Sequence, residues 1–139
     1  MKHLKILAII PALLAVGLSS CKKNATPVTT SAILQEDSWR ITFFEDSGTN
    51  ETYKFSGYVF TFSSDGNVAA IKASSTINGT WNSGSDDSEN KLTLEFGVAS
   101  PFNELNDDWH VIEKAATKIR LEDVSGGGGG TDLLTFEIN

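Results

Sequence analysis

The chain has 139 residues, a net charge of −7 and a single cysteine. An acidic chain lacks the clustered basic face that nucleic acid requires, so no nucleic-acid partner is expected. One cysteine cannot close an internal disulfide, so the fold must rest on its hydrophobic core, and the length suits one domain.

The chain opens on a short positive segment, Lys2, His3 and Lys5. Ile6 to Leu18 is apolar apart from Pro11 and Gly17. A run of about 13 residues is the length of a signal-peptide core and too short to span roughly 30 Å of hydrocarbon as a helix. Small residues, Ser19 and Ser20, then precede Cys21. Leu18-Ser19-Ser20-Cys21 resembles a bacterial lipobox, which implies a diacylglyceryl group on Cys21 and removal of residues 1–20 as a lipoprotein signal peptide. Losing Lys2 and Lys5 would take the net charge down by two, from −7 to −9. Lipoproteins of this type carry two or three acyl chains. Each buried CH₂ contributes about 0.8 kcal/mol and one chain holds only marginally, so the resemblance implies stable membrane attachment. Lys22-Lys23 reads either as a contact to anionic head groups or as a solvated basic pair. Residues 24–32 (NATPVTTSA) are small, polar and β-branched with one proline, the composition of a tether. Residues 21–34 are therefore expected to form a lipidated N-terminus and flexible linker, with the domain at 35–139. A domain of about 105 residues buries over 60% of its unfolded surface, enough for a core.

Ile33 to Asp37 reads as a lead-in turn. From Ser38 the pattern is that of strands. Trp39, Ile41 and Phe43 alternate with Arg40, Thr42 and Phe44. Asp46 to Glu51 is turn material. Tyr53 and Phe55 share one parity, and Tyr58, Phe60 and Phe62 the other. Gly57 sits at the switch and predicts a β-bulge that bends one long strand. Ser64-Asp65-Gly66-Asn67 predicts a two-residue hairpin turn, with Gly supplying positive φ. Val68 to Ser74 returns, and Ile77, Gly79 and Trp81 alternate on the next strand. Asn82 to Asn90 is expected as a polar, acidic loop. Leu92, Leu94 and Phe96 mark another strand, ended by Gly97 to Ser100. Ser100 suits a helix N-cap and Pro101 the first helical position. Phe102 and Leu105 would then share one face of a single helical turn covering an open end of the sheet. Trp109 and Val111 follow on a strand, Glu113 to Thr117 on a turn, and Ile119 and Leu121 on a strand. Gly126 to Gly130 is a glycine loop, and Leu134, Phe136 and Ile138 form the last strand.

About eight short strands joined mostly by tight turns, with no long helical pattern, predict an all-β fold. Sequential hairpins favour an antiparallel up-and-down barrel with one short helical turn, because closure removes exposed edges. A barrel of eight strands either fills with side chains or holds one small ligand.

At Phe102-Asn103-Glu104-Leu105-Asn106-Asp107-Asp108-Trp109-His110-Val111 and Ile119-Arg120-Leu121-Glu122-Asp123 the chain resembles the lipocalin-like lipoproteins of Bacteroidetes. Gly79-Thr80-Trp81 before Leu92-Thr93-Leu94, and the Trp39 strand, fit the same group. The likeness covers roughly Ser38 to Asn139 and implies a calycin-like β-barrel. True lipocalins carry Gly-x-Trp on the first strand, whereas here that strand has Asp37-Ser38-Trp39. The resemblance also implies the outer membrane as the anchoring bilayer. In Bacteroidetes an acidic cluster after the lipidated cysteine resembles a surface-export signal. None follows Cys21 directly, which points to the periplasmic face.

Chemistry has few carriers. His110 is the one histidine after the leader, and if Trp109 faces inward alternation turns His110 outward. No nucleophile elbow supports a triad, and one histidine does not make a zinc site. Asp86, Asp87 and Glu89 could offer oxygens to a hard cation, but their spacing is not that of an EF-hand loop and a solvated acidic loop is the simpler reading. Asp107 and Asp108 are adjacent and would point opposite ways on a strand. Gly126 to Gly130 lacks the lysine and helix of a P-loop. No cofactor and no metal are expected, and the protein is read as non-enzymatic. The aromatics remain. Trp39, Tyr58, Phe60, Trp81 and Trp109 are the candidate ligand-binding residues, lining the barrel interior around a small hydrophobic ligand. Small interior residues, Gly79 and Ala70, would leave room for it. The alternative is that the aromatics fill the core and the protein acts through its loops as an interaction module or inhibitor, with a partner the sequence does not name.

Overall fold

The computed structural model describes residues 26–86, 89–124 and 129–139. The leader, Cys21, Lys22-Lys23, Asp87 and Gly126 to Gly128 lie outside the described residues. The chain runs as α1 (Thr30–Glu36), β1 (Ser38–Asp46), β2 (Thr49–Asn50), a 3-10 turn (Thr52–Phe55), β3 (Val59–Phe62), β4 (Asn67–Lys72), β5 (Ser75–Asp86) and β6 (Glu89–Glu95). A second 3-10 turn (Phe102–Leu105), β7 (Asp107–Ala115), β8 (Lys118–Val124) and β9 (Thr131–Ile138) complete it.

All strand pairs are antiparallel and follow chain order from β3 to β9. β1 pairs with β3 on one edge and with β9 on the other, which closes an eight-stranded up-and-down barrel. β2 is a two-residue spur on the far end of β1. Closure follows from the composition: short, alternating strands joined by tight turns leave no long connection to carry a crossover, and joining β1 to β9 removes two edges. Bulges at Thr42 in β1 and Ile112 in β7 add a residue where the strands bend.

The two ends of the barrel differ. At the end where β1 begins, α1 packs against β1, β3 and β5. The Thr29 side chain caps α1 by accepting from the Ala32 N–H at 3.1 Å, and Ile33 and Leu34 are buried. At the opposite end the two 3-10 turns meet. Phe55 and Phe102 plug the bore there, and Lys54 binds Glu104 at 2.8 Å as well as Glu51. Those two carboxylates hold the Lys54 ammonium pKa well above its usual range.

Several sequence expectations change at the boundaries. The composition of residues 21–34 reads as a linker, but α1 starts at Thr30 and tucks Thr30, Ile33 and Leu34 against the barrel. Gly57 is not a bulge within one strand. Tyr53 and Phe55 belong to a 3-10 turn, Gly57 takes φ +82° beyond it, and the parity switch records a change of element. The Asp-Gly hairpin has a three-residue loop. Gly66 N–H bonds to Ser63 at 3.1 Å, Ser63 N–H bonds to Asn67 at 2.8 Å, and Gly66 is left-handed at φ +84°. Asn82 to Asn90 is mostly ladder, because β5 and β6 pair out to Asp86↔Glu89. β7 likewise runs to Ala115, and the turn is confined to Ala116 and Thr117. Pro101, not Ser100, occupies the cap of the second 3-10 turn. Phe102 and Leu105 are both buried, as their spacing predicts.

Candidate functional site

Trp39 and Phe60 are 0% exposed, Trp109 1% and Trp81 7%. These four are in the interior, where the alternation of their strands aims them. Their polar atoms are all committed to backbone carbonyls. The Trp39 indole N–H donates to Leu34 at 3.0 Å, Trp81 to Ser63 at 3.0 Å, and Trp109 to Leu105 at 3.0 Å. Each tryptophan thus ties a strand to an element at one end of the barrel: Trp39 to α1, Trp81 to the β3–β4 turn, Trp109 to the second 3-10 turn.

The rings then meet one another across the bore. Phe60 on β3 lies edge-on to Phe136 on β9 at 5.4 Å and to Phe96 at 6.2 Å. Phe62 meets Trp81 at 5.4 Å and Phe136 at 5.7 Å. Phe102 meets Phe55 at 5.6 Å and Phe96 at 5.3 Å. Rings at these spacings, edge-to-face except for the tilted Phe96–Phe102 pair, are a packed arrangement. Gly79 does not leave room for a ligand. A Cβ there would lie 2.7 Å from the Phe96 ring and 2.6 Å from the Glu95 carbonyl, so Phe96 takes that space. Ala70, 0% exposed, lies in register with Phe60, whose bulk it accommodates.

Tyr58 is different. It is half-buried, meets Phe102 at 4.9 Å, and carries the Lys72 ammonium over its ring at 5.3 Å. It lines a cleft of about 490 Å³ in the barrel wall, together with Arg40, Ile41, Thr42, Tyr53 and Gly57 among others. Two further clefts lie at the α1 end. One, of about 370 Å³, runs between Pro27, Thr29, Thr30 and Ser31 on one side and Ser83, Gly84, Asn90 and Lys114 on the other. A smaller one, of about 110 Å³, lies between α1 and the β3–β4 turn.

The wall cleft exists because β1 loses β3. Their ladder is Ser38↔Thr61 and Trp39↔Phe60 only. Pairing on that edge resumes at Phe44, whose N–H donates to the Thr52 hydroxyl at 2.8 Å and whose carbonyl accepts from the Glu51 N–H at 2.8 Å. Between them the chain of β3 turns away through Gly57 into the 3-10 turn. Sequence reasoning singled out the aromatics Tyr58 and Tyr53 but missed Arg40 and Thr42. The signal was present in the parity switch at Gly57, which marks where the wall opens.

Asp107, Asp108 and His110 line none of the three clefts. Asp107 is exposed, yet desolvation of its carboxyl raises the pKa, with Asp123, Asp108 and Asp132 adding repulsion. Asp108 accepts from the Thr93 hydroxyl at 2.6 Å. His110, half-buried, stands in register with Lys91 and Glu122. Among the described residues no group of three His, Cys, Asp or Glu is placed to hold a metal ion, and no helix is long and apolar enough to cross a membrane. The Asp86, Asp87 and Glu89 candidate falls at the β5–β6 tip, where Asp87 is outside the described residues.

No family model matches the chain, and no curated protein matches it. Its fold is similar to that of a DUF4847 family protein from Bacteroides vulgatus, known from a crystal structure. The two share 18% identity at a TM-score of 0.52, over 77% of this chain and 95% of that one. At that identity the likeness carries the barrel fold alone.

Proposed function

We propose that this protein is a non-enzymatic, lipid-anchored interaction module of the bacterial cell envelope, working through its outer surface with a filled barrel behind it. The observation that carries the reading is the aromatic interior, in which Phe60, Phe96, Phe102 and Phe136 occupy the bore and every tryptophan N–H is already bonded. A small hydrophobic ligand among Trp39, Phe60, Trp81 and Trp109 would have to displace that packing. An accessory protein needs only an outer face.

The anchor would be Cys21, placing the protein on the periplasmic face of the outer membrane. The described chain reaches the barrel at the α1 end, along the cleft formed with Ser83, Gly84 and Lys114. Residues Lys22 to Thr29 span at most about 28 Å when extended. A tether on Cys21 would keep the α1 end toward the bilayer and turn the 3-10 end away from it. The interior reading is tested by native mass spectrometry of the full chain after incubation with fatty acids, sterols and haem. An unchanged protein mass is expected, and a retained adduct would restore the hollow-barrel reading. Anchoring is tested by Cys21→Ser, which should abolish the lipid mass and release the protein from the membrane fraction.

A further inference from the structure

The wall cleft has the chemistry of a peptide site. Asn139 N–H donates to the Ser38 carbonyl at 2.9 Å, so Ser38 and Arg40 aim their peptide groups at β9. Alternation then aims those of Trp39 and Ile41 at the other edge. Trp39 meets Phe60 there, but the ladder ends with that pair. The N–H and C=O of Ile41 are therefore directed to the cleft side, which Thr42, Tyr58 and the 73%-exposed Tyr53 also line. An interrupted strand edge is a template for another extended chain. The gap runs only from Arg40 to Phe43, so it takes about three residues at roughly 3.3 Å each.

The charge at the rim selects what enters. Arg40 is exposed on the cleft wall, and among the described residues no ion pair holds it. Glu137, its neighbour in register on β9, is engaged by Lys118 at 3.2 Å. Lys72 reaches the far rim, donating to the Ser56 carbonyl at 2.8 Å. Two cations thus border this opening on a chain of net charge −7. We propose that the cleft captures a short, extended acidic segment of a partner protein, which pairs its backbone with Ile41 and sets a carboxylate on Arg40. The proposal rests on the interaction-module reading and supplies its site and partner chemistry.

The probe is a fluorescein-labelled peptide, acetyl-Glu-Val-Glu-Val-Glu-amide, titrated into the full chain in detergent micelles and read by anisotropy. Saturable binding is expected for this peptide, and none for the Lys-Val-Lys-Val-Lys version or for an analogue with N-methylated valines. Arg40→Glu should weaken binding about tenfold or more, the loss of a charge-assisted contact. Tyr53→Ala, at an exposed position that leaves the fold intact, should weaken it several-fold, while Lys114→Glu at the far end should not. No saturable binding of the acidic peptide, or equal binding of the N-methylated one, overturns the proposal. A parallel titration with cis-parinaric acid separates the two failures. If neither probe binds, the cleft is not the site but the filled-core reading stands. If the fatty acid binds inside, that reading falls as well.

Discussion

Substituting Gly79 by Ala probes whether the barrel is filled. Gly79 faces inward on β5 between Ile77 and Trp81, and its backbone angles are ordinary, so an added methyl strains packing alone. The new Cβ would stand 2.6 Å from the Glu95 carbonyl and 2.7 Å from the Phe96 ring. The first contact is with backbone in the β5–β6 ladder, where Thr80 pairs with Glu95. The second is with a ring that is 5% exposed and braced by Phe60 and Phe102. Neither neighbour is the free end of a flexible side chain. Overpacking of this kind costs typically about 1–3 kcal/mol, and two rigid contacts argue for the middle of that range or above. For a domain of this size 2 kcal/mol lowers Tm by about 10 °C. Urea titration followed by tryptophan fluorescence would read it as a lower midpoint at unchanged slope. Combining Gly79→Ala with Phe96→Ala removes the ring contact but not the carbonyl contact, so the cycle should recover only part of the cost. A Gly79→Ala loss below about 0.5 kcal/mol would mean that the interior has slack. The filled-core argument would then fail at its centre.

Trp39→Phe should cost about 2 kcal/mol, because it leaves the Leu34 carbonyl buried and unpaired, and proteolysis should then cut within α1 before the barrel unfolds. Ala73 holds φ +53° in the β4–β5 turn, so Ala73→Gly should raise stability by up to about 1 kcal/mol in a thermal melt; a loss would show that the turn is unstrained. Asp107→Asn should stabilise the protein at neutral pH. The folded Asp107 carboxyl pKa is raised by desolvation, so the folded state binds its proton more readily than the unfolded one, and stability falls as pH rises through that window. The gain from Asn should fade as pH drops below the ordinary carboxylate range, and a gain that persists in acid would refute the assignment.

The barrel was legible because period-two alternation survives in most strands. Trp39 and Ile41, Phe60 and Phe62, Leu92 and Leu94, Ile119 and Leu121, and Leu134 and Phe136 are buried as read. The boundaries were less legible for specific reasons. Polar composition in Asn82 to Asp86 looks like a loop, yet these residues pair with β6. α1 was hidden because its first turn is built from Thr30, Ser31 and Ala32, a composition shared with tethers. Its evidence is tertiary: Leu34 is buried and takes the Trp39 N–H. The occupancy of the bore was illegible in principle. Gly79 and Ala70 read as vacancies until the rings of Phe96 and Phe60 are placed against them.

The same residues explain why the wall opens where it does. Tyr53 and Phe55 would continue β3 along β1 if the strand ran straight, completing the ladder past Trp39. Instead the 3-10 turn swings Phe55 into the end of the bore, where it meets Phe44 at 5.3 Å and Phe102 at 5.6 Å. Plugging that end with Phe55 and Phe102 therefore requires the chain to leave the β1 edge, with Gly57 at φ +82° supplying the bend. Filling the barrel and opening its wall are two consequences of one backbone excursion. A chain that had kept its ladder intact would have an open mouth and a closed wall, the arrangement suited to an interior ligand. This chain has the reverse, which is why its binding chemistry is sought on the side of the barrel, at Ile41 and Arg40.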